Sequence, residues 1–348
     1  MRALVLLLCL GLSACGASSS PDASPPPDAP DDATGTDSGR EPLPPCSEDS
    51  SLARAACVEE ARYRADLEAI AEERVPETAH WMAVQDLCAS RLEALGFTVE
   101  RQDYGTGVNV VGVLEGTSEP ARRVVIGAHY DHIAGCEGAD DNASGVAGVL
   151  EAARVLASPH PRTLVAACWD EEERGLIGSR AWVAQETTAG RGVDVYFNFE
   201  MIGYYDDTPN TQRLPPGFEL LFPRPVARIE RNETRGDFIA LIGDASAEPW
   251  LDALEAASER AGLSAIPLSV SATLKNDPLL ADLQRSDHAP FWAADFPAIM
   301  LTDTANFRYD AYHCPGGAED SVSRLDVTRA SQVTAITVAA ASLALGDE

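Results

Sequence analysis

Apolar positions along this chain fall into two rhythms, and their alternation predicts its elements. Residues from about 50 to 96 read as helical, closing at Gly96 after Ala89–Leu95. Phe97–Glu100 and Val108–Val113 then alternate as strands do. Arg123–Ala128, Leu164–Cys168 and Val193–Phe199 are short apolar runs of the kind that buried strands use. Between them, Gly145–Leu156 and Leu176–Ala184 carry apolar residues at helical spacing. A Pro-rich excursion from about 207 to 236 interrupts the series. A strand at Phe238–Ile242, a helix at about 247–262, a strand at Pro297–Leu301 and a final Ala- and Val-rich helix capped by Asp326 complete it. Short apolar strands alternating with helices predict an α/β fold, three-layer, with a mainly parallel central sheet and helices on both faces. Ligands of such sheets gather where strands end, and the polar residues of interest here sit at such ends.

The N-terminus follows a different pattern. Arg2 precedes the apolar run Ala3–Leu12, which is too short to span a bilayer as a helix. Leu12-Ser13-Ala14-Cys15 then resembles the lipobox of bacterial lipoproteins. That resemblance implies a signal peptide over residues 1–15 and lipid on Cys15. Gly16 after the cysteine resembles the type sorted to the outer membrane. The expected location is therefore the bacterial cell envelope, at the outer membrane or cell surface, anchored to the bilayer by lipid. Residues 16–45 are rich in Ser, Pro, Asp and Ala and cannot bury enough surface to offset chain entropy. They are expected to form a disordered tether, with residues 46–348 as one domain.

Composition narrows the chemistry. The formal net charge of -29 argues against a nucleic-acid partner. Lys275 is the only lysine, which disfavours Schiff-base chemistry. No G-x-S-x-G occurs, which disfavours a serine hydrolase.

Six acid- or histidine-bearing motifs remain. His129-Tyr130-Asp131 follows a strand; the His can ligate zinc, and Asp131 can hold its orientation. Alone, that pattern equally describes a structural hydrogen bond. Gly138-Ala139-Asp140-Asp141-Asn142-Ala143-Ser144-Gly145 opens a helix. Its bland reading is helix capping, yet one cap needs one acceptor and three are adjacent. Asp170-Glu171-Glu172-Glu173 follows a buried strand. A solvated charge run is the bland alternative, but clustered carboxylates beside apolar sequence repel one another unless a cation or proton compensates. Glu200 ends another strand, Ser286-Asp287-His288 lies later, and Tyr312-His313 comes last. By chemistry alone His288 and His313 compete for one ligand position. Jointly these residues have the composition of a metal site.

In order and spacing, the six motifs resemble the co-catalytic di-zinc aminopeptidases, relatives of glutamate carboxypeptidases and glutaminyl cyclases, over roughly residues 60–345. The resemblance implies a zinc-peptidase fold and a metal-dependent exopeptidase that cleaves N-terminal residues from peptides. It implies two zinc ions, one held by His129 and Glu200, the other by Glu173 and His313, with Asp141 bridging. Glu172 becomes the general base, Tyr312 an oxyanion donor, and Asp131 and Asp287 the residues orienting His129 and His313. Asp140 and Glu171 become bystanders. Glu200 departs from the Asp that many relatives carry. A carboxypeptidase or a glutaminyl cyclase-like enzyme on the same scaffold stays open. So does a non-catalytic surface binding lipoprotein, although the base and every ligand type are present. A monomer is expected.

Beyond Cys9 and Cys15, the cysteines are Cys46, Cys57, Cys88, Cys136, Cys168 and Cys314. Export favours disulfides. One bridge is expected among Cys46, Cys57 and Cys88, and another between Cys136 and Cys314, which both neighbour implied ligands. Cys168, in an apolar run, is expected to be a buried free thiol.

Overall fold

Alternate residues of the central strands feed two separate cores. Val124, Ile126 and Ala128 join one, together with Leu164, Ala166, Cys168, Phe197 and Phe199. Val125, Val165, Ala167, Trp169, Tyr196 and Met300 join the other. Continuous apolar runs therefore mark strands buried on both faces. In the computed structural model, which describes residues 41–275 and 277–347, these strands form one eight-stranded sheet. Its strands are β1 (Thr98–Asp103), β2 (Val108–Leu114), β3 (Glu119–His129), β4 (Arg162–Trp169), β5 (Val195–Glu200), β6 (Ile239–Asp244), β7 (Ala265–Val270) and β8 (Ala298–Thr302), in the order β1-β2-β4-β3-β5-β8-β6-β7. Strands β4, β3, β5 and β8 run parallel. The β1–β2 hairpin joins β4 antiparallel, and the parallel pair β6–β7 joins β8 antiparallel. The sheet is thus parallel at its centre and mixed at its margins. The expected signal peptide, Cys15 and the tether as far as residue 40 lie outside the described residues. Leu43 already packs against the larger core.

The larger core is covered by α1 (Ser51–Ala55), α2 (Glu60–Ile70), α3 (Ala79–Ala94), α4 (Gly145–Val155), α8 (Glu248–Ala261) and α10 (Val327–Leu345). The other is covered by α5 (Ile177–Thr188), α7 (Pro223–Arg231) and α9 (His288–Ala293), with α6 (Phe218–Leu221) just before α7. Helices therefore lie on both faces, as expected.

Three local differences have physical causes. The helical stretch 50–96 is broken into α1, α2 and α3. Pro76 disfavours helix at Val75, and the side chain of Thr78 restarts it by accepting from Trp81 N. The Pro-rich excursion contains α7, because proline at a helix's first turn sacrifices no hydrogen bond. The pattern does not predict β7, whose Pro267 breaks a strand signature. The strand pairs only with β6, at the sheet margin, where a missing amide is tolerated.

Candidate metal centre

Strands β3, β4 and β5 are parallel neighbours, so their ends meet at one edge. His129 is the last residue of β3 and Glu200 the last of β5, while Asp170–Glu173 follow Trp169 at the end of β4. Asp141 lies in a wide helical turn, Ala139–Ser144, leading into α4. His313 arrives from the irregular chain beyond β8.

His129 Nε2 is 3.4 Å from Asp141 Oδ1 and 3.4 Å from Glu200 Oε2. His313 Nε2 is 3.3 Å from Asp141 Oδ2 and 3.2 Å from Glu173 Oε2. Each oxygen of Asp141 therefore faces a different histidine–carboxylate pair. These separations exceed a charge-assisted hydrogen bond, about 2.7–2.9 Å. They match the edge of a tetrahedron, about 3.3 Å, whose corners lie ~2.0–2.1 Å from zinc. His129 Nε2 is also buried without a hydrogen-bond partner. Donor spacing, donor chemistry and this orphaned nitrogen fit two cations taking nitrogen and oxygen ligands.

The groups around these donors hold them in place. Asp131 accepts from the backbone N–H of Glu172 at 3.0 Å and of Glu173 at 3.3 Å. Its carbonyl lies 3.2 Å from His129 Nδ1. One residue thus links the ends of β3 and β4. Ser286 donates to Glu200 Oε2 at 2.6 Å. The Glu172 carboxylate lies within 4.8 Å of donor atoms on both His129 and Glu200. Burial pushes its pKa well up, and Glu200, Asp287 and Glu173 add to that against the pull of His129. Burial opposes charge on His129, yet Glu172 and the carboxylates of Asp131, Asp141 and Glu200 outweigh it and hold its pKa well above the usual range. Burial would raise Asp141, but His132, His129 and His313 hold it well below the carboxylate range. Without metal, then, protons and imidazolium charge keep the crowded carboxylates together.

Tyr312 stacks on His313 at 3.9 Å between ring centroids, and its hydroxyl accepts from Arg285 Nη2 at 3.0 Å. Beside Glu200 and Tyr312 opens an apolar pocket lined by Phe218, Phe222, Val226, Phe238, Leu268 and Met300. The excursion 207–236 supplies the first three.

The competing histidine sits elsewhere. His288 is fully buried, with Nε2 2.8 Å from the Leu283 carbonyl and its ring against Trp292. Burial depresses its pKa to about 4. Asp287 makes no hydrogen bond to His313; its charged neighbours are His129, Glu200 and Asp131, and burial pushes it up to about 7. Glu171 turns to Thr106 and Arg174. Asp140 accepts from Gly203 N, on the far side of the turn.

Sequence reasoning missed two residues. His132 Nδ1 lies 2.8 Å from Glu173 Oε1; it stands three positions after His129 in the same motif. Arg74, fully buried, donates to six carbonyls, those of Ile70, Glu72, Tyr130, Glu137, Gly138 and Asp141. No local pattern in the sequence marks it. The disulfides are Cys46–Cys57 and Cys136–Cys314, while Cys88 and Cys168 are buried and free. Both expected bridges and the free Cys168 are found.

Residues 109–227 match the model of Peptidase family M28. That span holds His129, Asp141, Glu172, Glu173 and Glu200, but not His313. The uncharacterized protein YfbL of Escherichia coli (strain K12) is 36% identical over 222 residues, covering 60% of this chain and 63% of YfbL. The probable lipoprotein aminopeptidase LpqL of Mycobacterium tuberculosis is 40% identical over 124 residues, covering 33% of this chain and 25% of LpqL. The chain thus spans less than two thirds of either relative. Likeness of fold to solved structures extends over more of the chain. BSAP, a zinc aminopeptidase from Bacillus subtilis, superposes with a TM-score of 0.59 at 16% identity, over 82% of this chain and 95% of that one.

Proposed function

We propose that this M28 chain is a di-zinc aminopeptidase that removes N-terminal residues with large apolar side chains from peptides. The observation that carries the reading is Asp141, whose two oxygens each face a separate histidine–carboxylate pair. His129 and Glu200 would hold one zinc and His313 and Glu173 the other, with Asp141 shared. The chemistry supplied by bound zinc is Lewis acidity, which brings the pKa of a coordinated water towards neutrality. Glu172, beside His129 and Glu200, takes a proton from water and delivers it to the leaving amine. The Tyr312 hydroxyl donates to the oxygen of the attacked carbonyl. Asp131 keeps His129 and the Glu172–Glu173 backbone in register. The apolar pocket beside Glu200 receives the N-terminal side chain.

A lipid anchor at Cys15 and an envelope location complete the reading, with peptide as the partner, no nucleic acid and a monomeric state. LpqL's name, as a lipoprotein aminopeptidase, is in keeping with it. A carboxypeptidase is the second reading, favoured by Arg213 and Arg285 on the rim of the same pocket, where a substrate carboxylate would be attracted. One experiment separates the two. Peptides with free N-termini, blocked N-termini and free or amidated C-termini are assayed with and without chelator, and bound zinc is counted. Cleavage is expected for free N-termini only, lost with chelator and restored by zinc. Equal cleavage of N-blocked peptides would refute the aminopeptidase. Activity that survives removal of all metal would refute both.

A further inference from the structure

The implied ligands differ in how they are carried. His129 and Glu200 end strands, Glu173 follows one within a turn, and Asp141 enters a helix. All four are buried or nearly so, with side-chain exposures between 1% and 11%. His313 is 35% exposed and stands on no strand or long helix. It also has φ +61°, and Cys314 after it φ +48°. Two successive non-glycine residues in the left-handed region persist only where their surroundings over-determine them.

One covalent tie at this point is the Cys136–Cys314 disulfide. Its other end lies in the loop between His132 and Gly138, which side-chain hydrogen bonds fasten beside the site. Arg74 grips the carbonyls of Tyr130, Glu137 and Gly138. His132, in the same loop, touches Glu173. The bond therefore runs from a loop fastened to Glu173 and Asp141 directly to the residue after His313.

We propose that the Cys136–Cys314 disulfide is the positioning element of the second metal site: it holds the left-handed His313–Cys314 segment so that the imidazole stays on Asp141 and Glu173. The proposal rests on the ligand assignment above. The first site, carried by β3, β5 and the turn before α4, does not depend on the bond. The disulfide thus divides the centre into a site built by the sheet and a site completed by a cross-link.

The test is metal titration of the full mature chain. Cys136→Ser and Cys314→Ser are made together, because a lone Cys136 thiol beside His132 and Asp320 would offer a new ligand. Zinc binding is followed by calorimetry and by counting ions after gel filtration. Wild type is expected to take two zinc ions. The double variant is expected to keep the first with unchanged affinity and bind the second at least tenfold more weakly. The Cys46→Ser/Cys57→Ser pair, remote from the site, should keep both. Two sites of wild-type affinity in the Cys136/Cys314 variant would overturn the proposal. Fewer than two zinc ions in wild type would instead overturn the di-zinc reading beneath it. If the double variant does not fold, folded wild type is treated with a phosphine and iodoacetamide, and mass mapping identifies the opened bond. Retention of two zinc ions by molecules opened at Cys136–Cys314 overturns the proposal equally.

Discussion

The two halves of the centre are built by opposite means. On one side, His129, Glu200 and the Glu172–Glu173 pair sit at or just beyond the ends of adjacent parallel strands, and backbone pairing sets their spacing. On the other, His313 and Tyr312 come from irregular chain, tied by a disulfide and side-chain bonds, and the pocket wall from 207–236 comes from the short helices α6 and α7 and the turn between them. The sheet sets the spacing of its donors, and a few single contacts, such as those of Asp131 and Ser286, complete their orientation. The irregular side is free to set which substrate fits, at the cost of needing its own fastenings. Reaction type is therefore best sought in the strand ends and specificity in the loops.

The largest expected effect lies on the sheet side. Glu172→Gln keeps the shape and removes proton transfer, so kcat should fall by about 10²–10⁴-fold while zinc content stays at the wild-type level. Steady-state kinetics with metal analysis checks both. Wild-type turnover in this variant would show that the strand-end acid is not the base.

The two late histidines sharpen the comparison further. Burial lowers His288 to about 4, below the unfolded value near 6.5. The fold therefore favours its neutral form. That contribution is fully present above about pH 6.5 and is lost as pH falls towards 4, by roughly 3 kcal/mol at pH 4. In His288→Leu, the drop in urea stability between pH 7 and pH 4 should be smaller by about that amount, and both zinc ions should remain. Loss of a zinc ion from this variant would mean that His288, not only His313, serves the centre.

Specificity should move when the pocket is changed and the strand-end donors are left alone. Ala240, on β6, lines the apolar pocket. Ala240→Leu should lower kcat/KM for peptides beginning with Phe or Leu by about tenfold relative to those beginning with Ala, since a methylene or two decides fit in an apolar pocket. Competition between the two peptides measures that ratio directly. An unchanged ratio would remove the pocket from substrate recognition.

The same division explains what the sequence could reveal. Strand ends were legible because an apolar run followed at once by His or acidic residues has few other meanings; His129, Glu200 and the run Asp170–Glu173 stood out that way, while the choice of Glu172 and Glu173 within the run came from the family resemblance. His313 was not legible from chemistry, since His288 offered the same side chain in an equally acidic motif. The family resemblance favoured His313, and in the fold it is His313 Nε2 that lies against Asp141 and Glu173, while His288 packs on Trp292 with Nε2 on the Leu283 carbonyl. The resemblance implied that Asp287 orients His313, but in the fold the charged neighbours of Asp287 are His129, Glu200 and Asp131. Arg74 could not be found at all. Its role is to bond carbonyls from three separated segments, and no local pattern records such a convergence. Likewise β7 was hidden by Pro267, which a marginal strand tolerates and a central one would not.

The smallest expected effect tests whether the sheet side is as self-sufficient as this comparison holds. Asp326 caps α10 by accepting from Arg329 N at 3.0 Å, and its own N–H donates to the carbonyl of Gly203, three residues past Glu200. Asp326→Ala removes the cap and leaves that backbone bond. A lost cap costs about 1 kcal/mol, which in a domain of this size lowers Tm by about 2 °C. Glu200 is fixed by strand pairing and by Ser286, neither of which the substitution touches, so kcat and zinc content should not change. Calorimetry and kinetics on one preparation decide the matter. A fall in zinc content alongside the small shift in Tm would mean that helix packing, as well as the sheet, holds the ligand in place.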